Sequence, residues 1–224
     1  MVHKTHGVTP AISVDFPGLT ATLNEDALVL CSQQPLQTLS SAVVGGGFLH
    51  TRYIVNRHVH KDYDHPDPAA DLLTFARSQG ISEAFVGLMT AVPMHKTCAL
   101  TLRAAALTLT VVVTAGLSNP AAPGFSPPAL WQPSTINLIL LLDAPLAPAA
   151  MVNAGMTATE VKTQMILERG VLTPDGYPAT GTSTDAIVVA CTEYGEVLPY
   201  AGPVTTVGWL IGRGVRAALA AALA

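Results

Sequence analysis

The sequence is short of charge, of aromatic rings and of cysteine. Only 12% of its 224 residues are Asp, Glu, Lys or Arg and 5% are aromatic, against 50% hydrophobic. A chain with so much apolar surface to bury is not a disordered one. At this length a single domain over 1–224, with a core of its own, is expected. The net charge of −4 and the pI of about 5.9 leave no basic face for nucleic acid or an anionic membrane. The three cysteines, Cys31, Cys98 and Cys191, lie far apart with no Cys-x-x-Cys pair. Each falls in an apolar stretch, which suits a small buried residue in a reducing compartment. No run supplies the roughly 20 unbroken apolar residues of a membrane span. Residues 98–117 carry Arg103, and 136–151 are interrupted by Asp143, Pro145 and Pro148. The opening Met-Val-His-Lys-Thr-His-Gly has no apolar stretch of the kind a signal peptide needs. These absences point to a soluble, cytoplasmic protein and leave self-association open.

What is present is small and tightly turned, with 18 Gly, 17 Pro and much Ala, Val and Leu. Short β-branched or apolar runs at 26–32, 41–44 and 52–59 predict strands. Gly45-Gly46-Gly47 sits between the second and third, where the backbone turns or approaches a neighbour closely. A helix is predicted after Asp67 as N-cap, with Pro68 in its first turn and Gly80 as its stop. Strands are predicted at 84–89, 108–114, 135–142 and 186–191, with helices at 96–107, 148–168 and 206–223. The second of these helices is expected to restart at Gly155, because Thr157-Ala-Thr-Glu160 has the form of a capping box. Residues 118–133, with five prolines and a glycine, form the one candidate linker. Helix, glycine and apolar strand recur at 67–92 and 157–191, a faint echo that allows two related halves. The expected fold class is α/β, a mixed and largely buried sheet flanked by helices, with α+β as the alternative.

Candidate chemistry gathers in four places. His58-Val-His60-Lys-Asp62 on a strand would put three metal-ligand types on one face. The order His-x-His-x-Asp resembles the opening of the metallo-β-lactamase zinc motif, yet Tyr63 stands where that motif has His, and beyond the cluster, which ends at His65, only His95 remains. A polar strand end is the simpler reading, and no metal site is assigned. Ala179-Thr-Gly-Thr-Ser-Thr-Asp185 precedes a buried strand, and its small hydroxylated residues suit oxyanion donors or a nucleophile. It lacks the lysine of a phosphate loop. Glu160 beside Lys162 has the makings of a buried acid or base besides its capping role. Residues 113–119 run a strand into a Gly/Asn turn, a usual place for ligand groups.

In order along the chain, Leu39-Ser-Ser-Ala-Val-Val-Gly-Gly-Gly47, the strand around Asn56, Gly87-Leu-Met-Thr-Ala91, Val113-Thr-Ala-Gly-Leu-Ser-Asn119, Thr135-Ile-Asn137, Thr157-Ala-Thr-Glu-Val-Lys162, Ala179-Thr-Gly-Thr-Ser-Thr-Asp185 and the Gly202…Gly208 run resemble the adenosylcobinamide amidohydrolase family. The likeness covers roughly residues 39–218, and its most distinctive part is Thr-Gly-Thr-Ser-Thr-Asp. Gly45 departs from the asparagine expected there. The resemblance implies hydrolysis of the amide that joins the aminopropanol arm to the corrin ring. It implies a corrinoid substrate, with cobalt present only as part of that substrate and no separate cofactor. The candidate catalytic residues are Asp185, Thr182, Thr180 and Glu160. Those for substrate binding are Ser41, Gly46, Gly47, Asn56, Thr90, Thr114, Asn119, Asn137 and Thr184. Two dozen threonines suit a ring fringed with amides, since each hydroxyl both donates and accepts. Two rivals stay in view: a phosphate- or nucleotide-binding protein using the two Gly/Thr turns as cradles, and a corrinoid carrier without catalysis.

Overall fold

A computed structural model describes residues 14–128 and 135–224. The opening stretch without an apolar run and residues 129–133 of the proline-rich segment lie outside them. The strands are β1 (Leu19–Leu23), β2 (Ala27–Ser40), β3 (Gly47–His58), β4 (Phe85–Thr90), β5 (Cys98–Ala104), β6 (Leu107–Ala115), β7 (Pro120–Ala121), β8 (Ile136–Leu142), β9 (Gly181–Thr182) and β10 (Ala186–Cys191). The helices are α1 (Pro68–Ser78), α2 (Pro148–Glu168) and α3 (Thr206–Ala222). Eight strands make one mixed sheet in the order β4-β3-β2-β10-β8-β6-β5, with β1 added beside β2. β7 and β9 form a small separate pair. Among the described strands only β3 with β4 and β8 with β10 run parallel. Each parallel pair is joined through a helix, α1 in the first case and α2 in the second, which is the structural content of the repeated helix-glycine-strand pattern.

The sheet folds over on itself. Leu28, Leu30, Ile54, Val86 and Leu88 from the β2-β3-β4 side share one buried cluster with Val112, Ile139, Leu141, Val188 and Ala190 from the β6-β8-β10 side. The opposite face of the second side is covered by α2 and α3, through residues such as Ala154, Leu210 and Val215. Leu72 and Ala76 of α1 cover Val55 and Phe85 on the first. The layers therefore run helix, sheet, sheet, helix. The 14-residue β2 serves both sides, and its register shifts between Cys31 and Leu36, a bulge of the kind that bends a strand. Gln33, Gln34 and Pro35 fall in that shift. Turn-like residues there suggest a strand end at Ser32, whereas β2 continues through them.

Four further expectations change. Residues 98–107 are not helical: β5 and β6 form a hairpin turning at Ala105 and Ala106. The period of two in Leu100, Leu102 and Ala104, all packed on the core, and pairing with β6 override the helix preference of alanine. Residues 41–44 form no strand; only Val44 bridges to Gly87. Gly45 there has φ +69° and passes against the Phe85 carbonyl, so a side chain would meet both strain and backbone. Cys191 is buried, but Cys31 and Cys98 are only half-buried. Finally, α2 runs through Gly155 without a break. Ala150, Ala154 and Ala158, all fully buried, make a continuous i, i+4 stripe, so the helix has no reason to restart.

Among the described residues no helix is long and apolar enough to cross a membrane. The alanine stripe fixes how near α2 lies to the sheet. Ala154→Leu forces extra volume into that contact, at a cost of about 1–3 kcal/mol. The thermal midpoint is expected to fall by roughly 2–10 °C, measured by calorimetry; an unchanged midpoint would show that α2 is not held against the sheet there.

Candidate active site

The turn from Thr180 to Asp185 separates two cavities. Thr184, with Ala186 beyond the turn, lines the larger, a cleft of about 400 Å³ whose walls include Ser41, Val59, Tyr63, Leu88, Met89, Thr90, Thr135 and Asn137. Thr180, Gly181, Thr182, Ser183 and Asp185 line the other, about 320 Å³, together with Lys162 and Ser126. The small pairing of β7 with β9, and the Thr180 N–H donated to Ala121 O at 3.0 Å, tie the proline-rich segment to this turn. That segment thus forms a wall of the site.

Asp185 is the hub. Its Oδ1 accepts from the backbone N–H of Ile136 at 3.0 Å and from the Thr182 hydroxyl; its Oδ2 accepts from the Thr182 N–H at 3.1 Å and from Lys162 Nζ. Four donors fill the four acceptor positions of a carboxylate. Both ends of the Lys162–Asp185 pair are largely buried, with side chains 11% and 16% exposed. Lys162 continues the stripe of Ala150, Ala154 and Ala158 by one more i+4 step, which aims it at the sheet. Glu160 is exposed and Thr157 is buried inside α2, donating to Ala201 O at 3.2 Å. The buried acid/base reading of Glu160 is therefore corrected. The sequence paired Lys162 with Glu160; the fold pairs it with Asp185.

The cleft is built on a chain of amides and hydroxyls. Asn137 Nδ2 donates to Asn56 Oδ1 and to Met89 O, both at 2.9 Å. Asn56 Nδ2 donates to Thr114 Oγ1 at 3.0 Å, and Thr135 Oγ1 lies 3.2 Å from Asn137 Oδ1 and 2.7 Å from Thr184 O. Asn56 and Thr114 thus stand behind the cleft as braces, while Ser41, Thr90, Asn137 and Thr184 line it. Ser41 accepts from Ile187 N at 3.1 Å, which leaves its own hydroxyl proton to donate. Gly46 and Gly47 shape the loop after Ser41 without lining the cleft. Asn119 donates to Ser183 on the side of the smaller cavity.

Tyr63, the residue that breaks the zinc-like pattern, is itself part of the cleft wall. Its hydroxyl donates to Asp71 Oδ2 at 2.7 Å, and Arg57 Nη1 lies 2.8 Å from the same oxygen. Burial, reinforced by Asp71, pushes the Tyr63 phenol well above its ordinary pKa. Burial on its own would raise the Asp71 carboxyl. Hydrogen bonds from Tyr63 and Arg57, with the Arg57 charge, outweigh it and hold Asp71 below the usual carboxylate range. The histidines nearby are peripheral: His60 meets Asp62 at 3.2 Å with both exposed, and His65 stacks on Tyr63. Among the described residues no three His, Cys, Asp or Glu side chains are grouped to hold a metal ion. In the threonine turn the amides of Thr180 and Thr182 are already engaged, and a carboxylate sits at its centre.

Two outcomes follow from this geometry. A Cβ on residue 181 would collide with Asp185 Oδ2 and stand 2.6 Å from Lys162 Nζ, so Gly181→Ala is expected to displace the pair and cut turnover by at least about tenfold, the effect of misplacing a reacting group by under 1 Å; steady-state rates of a variant that remains folded check it. The lowered Asp71 carboxyl adds stability that is present above its unfolded pKa and is lost as pH falls through the folded one. The gap in melting temperature between the parent and Asp71→Asn is therefore full at neutral pH and closes in acid. A gap that stays constant from neutral pH to acid would contradict the assignment.

A family model described as adenosylcobinamide amidohydrolase matches residues 17–224. The chain is similar to an adenosylcobinamide amidohydrolase of Methanosarcina mazei, 34% identical over 177 residues that make up 75% of this chain and 80% of the relative. One of Halobacterium salinarum is 38% identical over 120 residues, 50% of this chain and 49% of that protein. Among solved structures, a Burkholderia sp. beta-aminopeptidase superposes with a TM-score of 0.54 at 14% identity, over 97% of this chain and 88% of that one. A Pyrococcus horikoshii OT3 protein does so at 0.50 and 11%, over 96% and 82%; at these identities the likeness is one of fold. With its family model spanning nearly the whole chain, the protein belongs to the adenosylcobinamide amidohydrolase family and is a hydrolase acting on amides.

Proposed function

We propose that the protein hydrolyses the amide between the aminopropanol arm and the corrin ring of adenosylcobinamide, releasing adenosylcobyric acid and the amino alcohol. The reaction salvages incomplete corrinoids for cobalamin synthesis. Family membership supports the substrate. The structural observation that carries the reading is the cleft itself: mostly apolar walls from Val59, Leu88, Met89 and Ala186, fringed by the neutral groups of Ser41, Thr90, Asn137 and Thr184. A corrin is a broad apolar ring edged with amides, and a few placed polar groups in an apolar pocket are what orient such a ligand. At about 400 Å³ the cleft takes an edge of the ring rather than the whole, which leaves a side arm free to reach the Thr180–Asp185 turn. There the amide carbonyl meets hydroxyls and an ion pair rather than bulk water.

The decisive measurement is incubation of the purified protein with adenosylcobinamide, without nucleotide, and chromatographic separation of the products. Equimolar acid and amino alcohol are expected. Intact substrate after long incubation with folded protein overturns the proposal, and tight binding without turnover would make the protein a carrier. Ser41→Ala removes one donor from the cleft, worth about 1 kcal/mol. It is expected to raise KM roughly fivefold with kcat unchanged, the pattern of lost uniform binding.

A further inference from the structure

We infer that the amide is cleaved through a covalent ester on Thr182, held ready by Asp185 and Lys162. The inference rests on the amide-hydrolase reading and adds the nucleophile to it. Three observations carry it. Thr182 lines the smaller cavity and its hydroxyl donates to Asp185 Oδ1, which commits the proton and leaves the lone pairs of Oγ1 for attack on a carbonyl. Its backbone is clamped as well, because the Thr182 N–H donates to Asp185 Oδ2. On Asp185, two of the four donors are backbone amides that keep their protons. The mobile protons beside the carboxylate belong to the Thr182 hydroxyl and to Lys162. A proton leaving Oγ1 thus has one short path, and the Lys162 ammonium holds Asp185 in place and offsets its charge. A hydroxyl, a carboxylate and a lysine in contact match the logic of nucleophile, proton acceptor and orienting group, of which Ser-Lys and Thr variants are known on unrelated folds.

The steps balance. Oγ1 bonds to the amide carbon while its proton passes to Asp185 Oδ1. The C–N bond breaks as the nitrogen takes that proton, and the amino alcohol leaves. Water then adds to the ester carbon and gives a proton to Asp185. That proton returns to Oγ1 as the C–O bond breaks, releasing the acid and restoring the Thr182 hydroxyl. In this scheme Thr182 is catalytic, while Lys162 acts through Asp185 and is a positioning residue.

The test is acid quench during turnover of adenosylcobinamide, followed by peptide mass spectrometry, with hydroxylamine as a competing acceptor. The mass of the corrinoid acyl group is expected on the peptide holding Thr182, and hydroxylamine should divert product to the hydroxamate without slowing amine release. Thr182→Ser should retain turnover and the adduct, while Thr182→Val should lose at least about a thousandfold yet still bind the corrinoid. Lys162→Met should lower kcat and change its pH profile with KM little moved, whereas a merely structural lysine would lower the melting temperature alone. The inference is overturned if Thr182→Val turns over at the parental rate. It is equally overturned if amine is released with neither adduct nor hydroxamate, which marks direct attack by water. Should adenosylcobinamide not be cleaved at all, the substrate assignment fails, and p-nitrophenyl acetate decides the nucleophile. An acetyl group on Thr182 in the parent supports it; acetylation that spares Thr182 overturns it.

Discussion

Four hydrogen bonds to one carboxylate hold this site together. Through them Asp185 joins the α2 helix (Lys162), the first residue of β8 (Ile136 N–H) and the short β9 strand (Thr182). Every lone pair of this carboxylate therefore has a donor. Removing it would strand a largely buried ammonium, and breaking a buried pair from one side costs about 3–5 kcal/mol. Position 181 follows from the same constraint, since the pair lies where a Cβ would be. The arrangement of the candidate site and local stability are therefore one problem in this turn, and a variant at Asp185 disturbs both.

The amide network behind the cleft solves a different problem. Asn56, Thr114 and Asn137 come from β3, β6 and β8, and each is 2% exposed or less. Polar groups so deeply placed are tolerated only when paired, and here they pair with one another across the space between the two faces of the folded sheet. They fix the relative position of the two sides close to the cleft, where an all-apolar contact would slide more readily. The neutral donors and acceptors of Thr90, Asn137 and Thr184 then stand on a braced floor.

Much of the fold was legible from residues. Asp67 does cap α1 at Ala70 N and Pro68 opens it, the apolar runs at 84–89, 135–142 and 186–191 are buried strands, and the sheet is mixed. Errors came where local and tertiary preferences disagree. Alanine-rich 98–107 has helical propensity but pairs as a strand, and Thr157-x-x-Glu160 has the letters of a cap while lying inside a long helix. The site was half legible. Ser41, Thr90, Asn137 and Thr184 gather in one cleft, and Thr180, Thr182 and Asp185 in the neighbouring one. Lys162 was hidden because its partner lies 23 residues away, although a single lysine ending a buried alanine stripe is a signal that sequence carries. Tyr63 was seen only as a missing histidine, since its role depends on Asp71 and Arg57 reaching it in space.

The place of β10 in the sheet has a consequence for synthesis. It lies between β2 and β8 and pairs with both along Val188 to Cys191, yet it is the last of the described strands in chain order and so the last of them to leave the ribosome. Until residue 191 has emerged, the strands of the first side and those of the second have no shared ladder, and β2 and β8 each present an open edge. Open edges recruit other chains, and long-range pairings such as Gln37 with Cys191 are slow to form. The nascent protein therefore passes through a stage with two exposed borders that a single late strand closes at once.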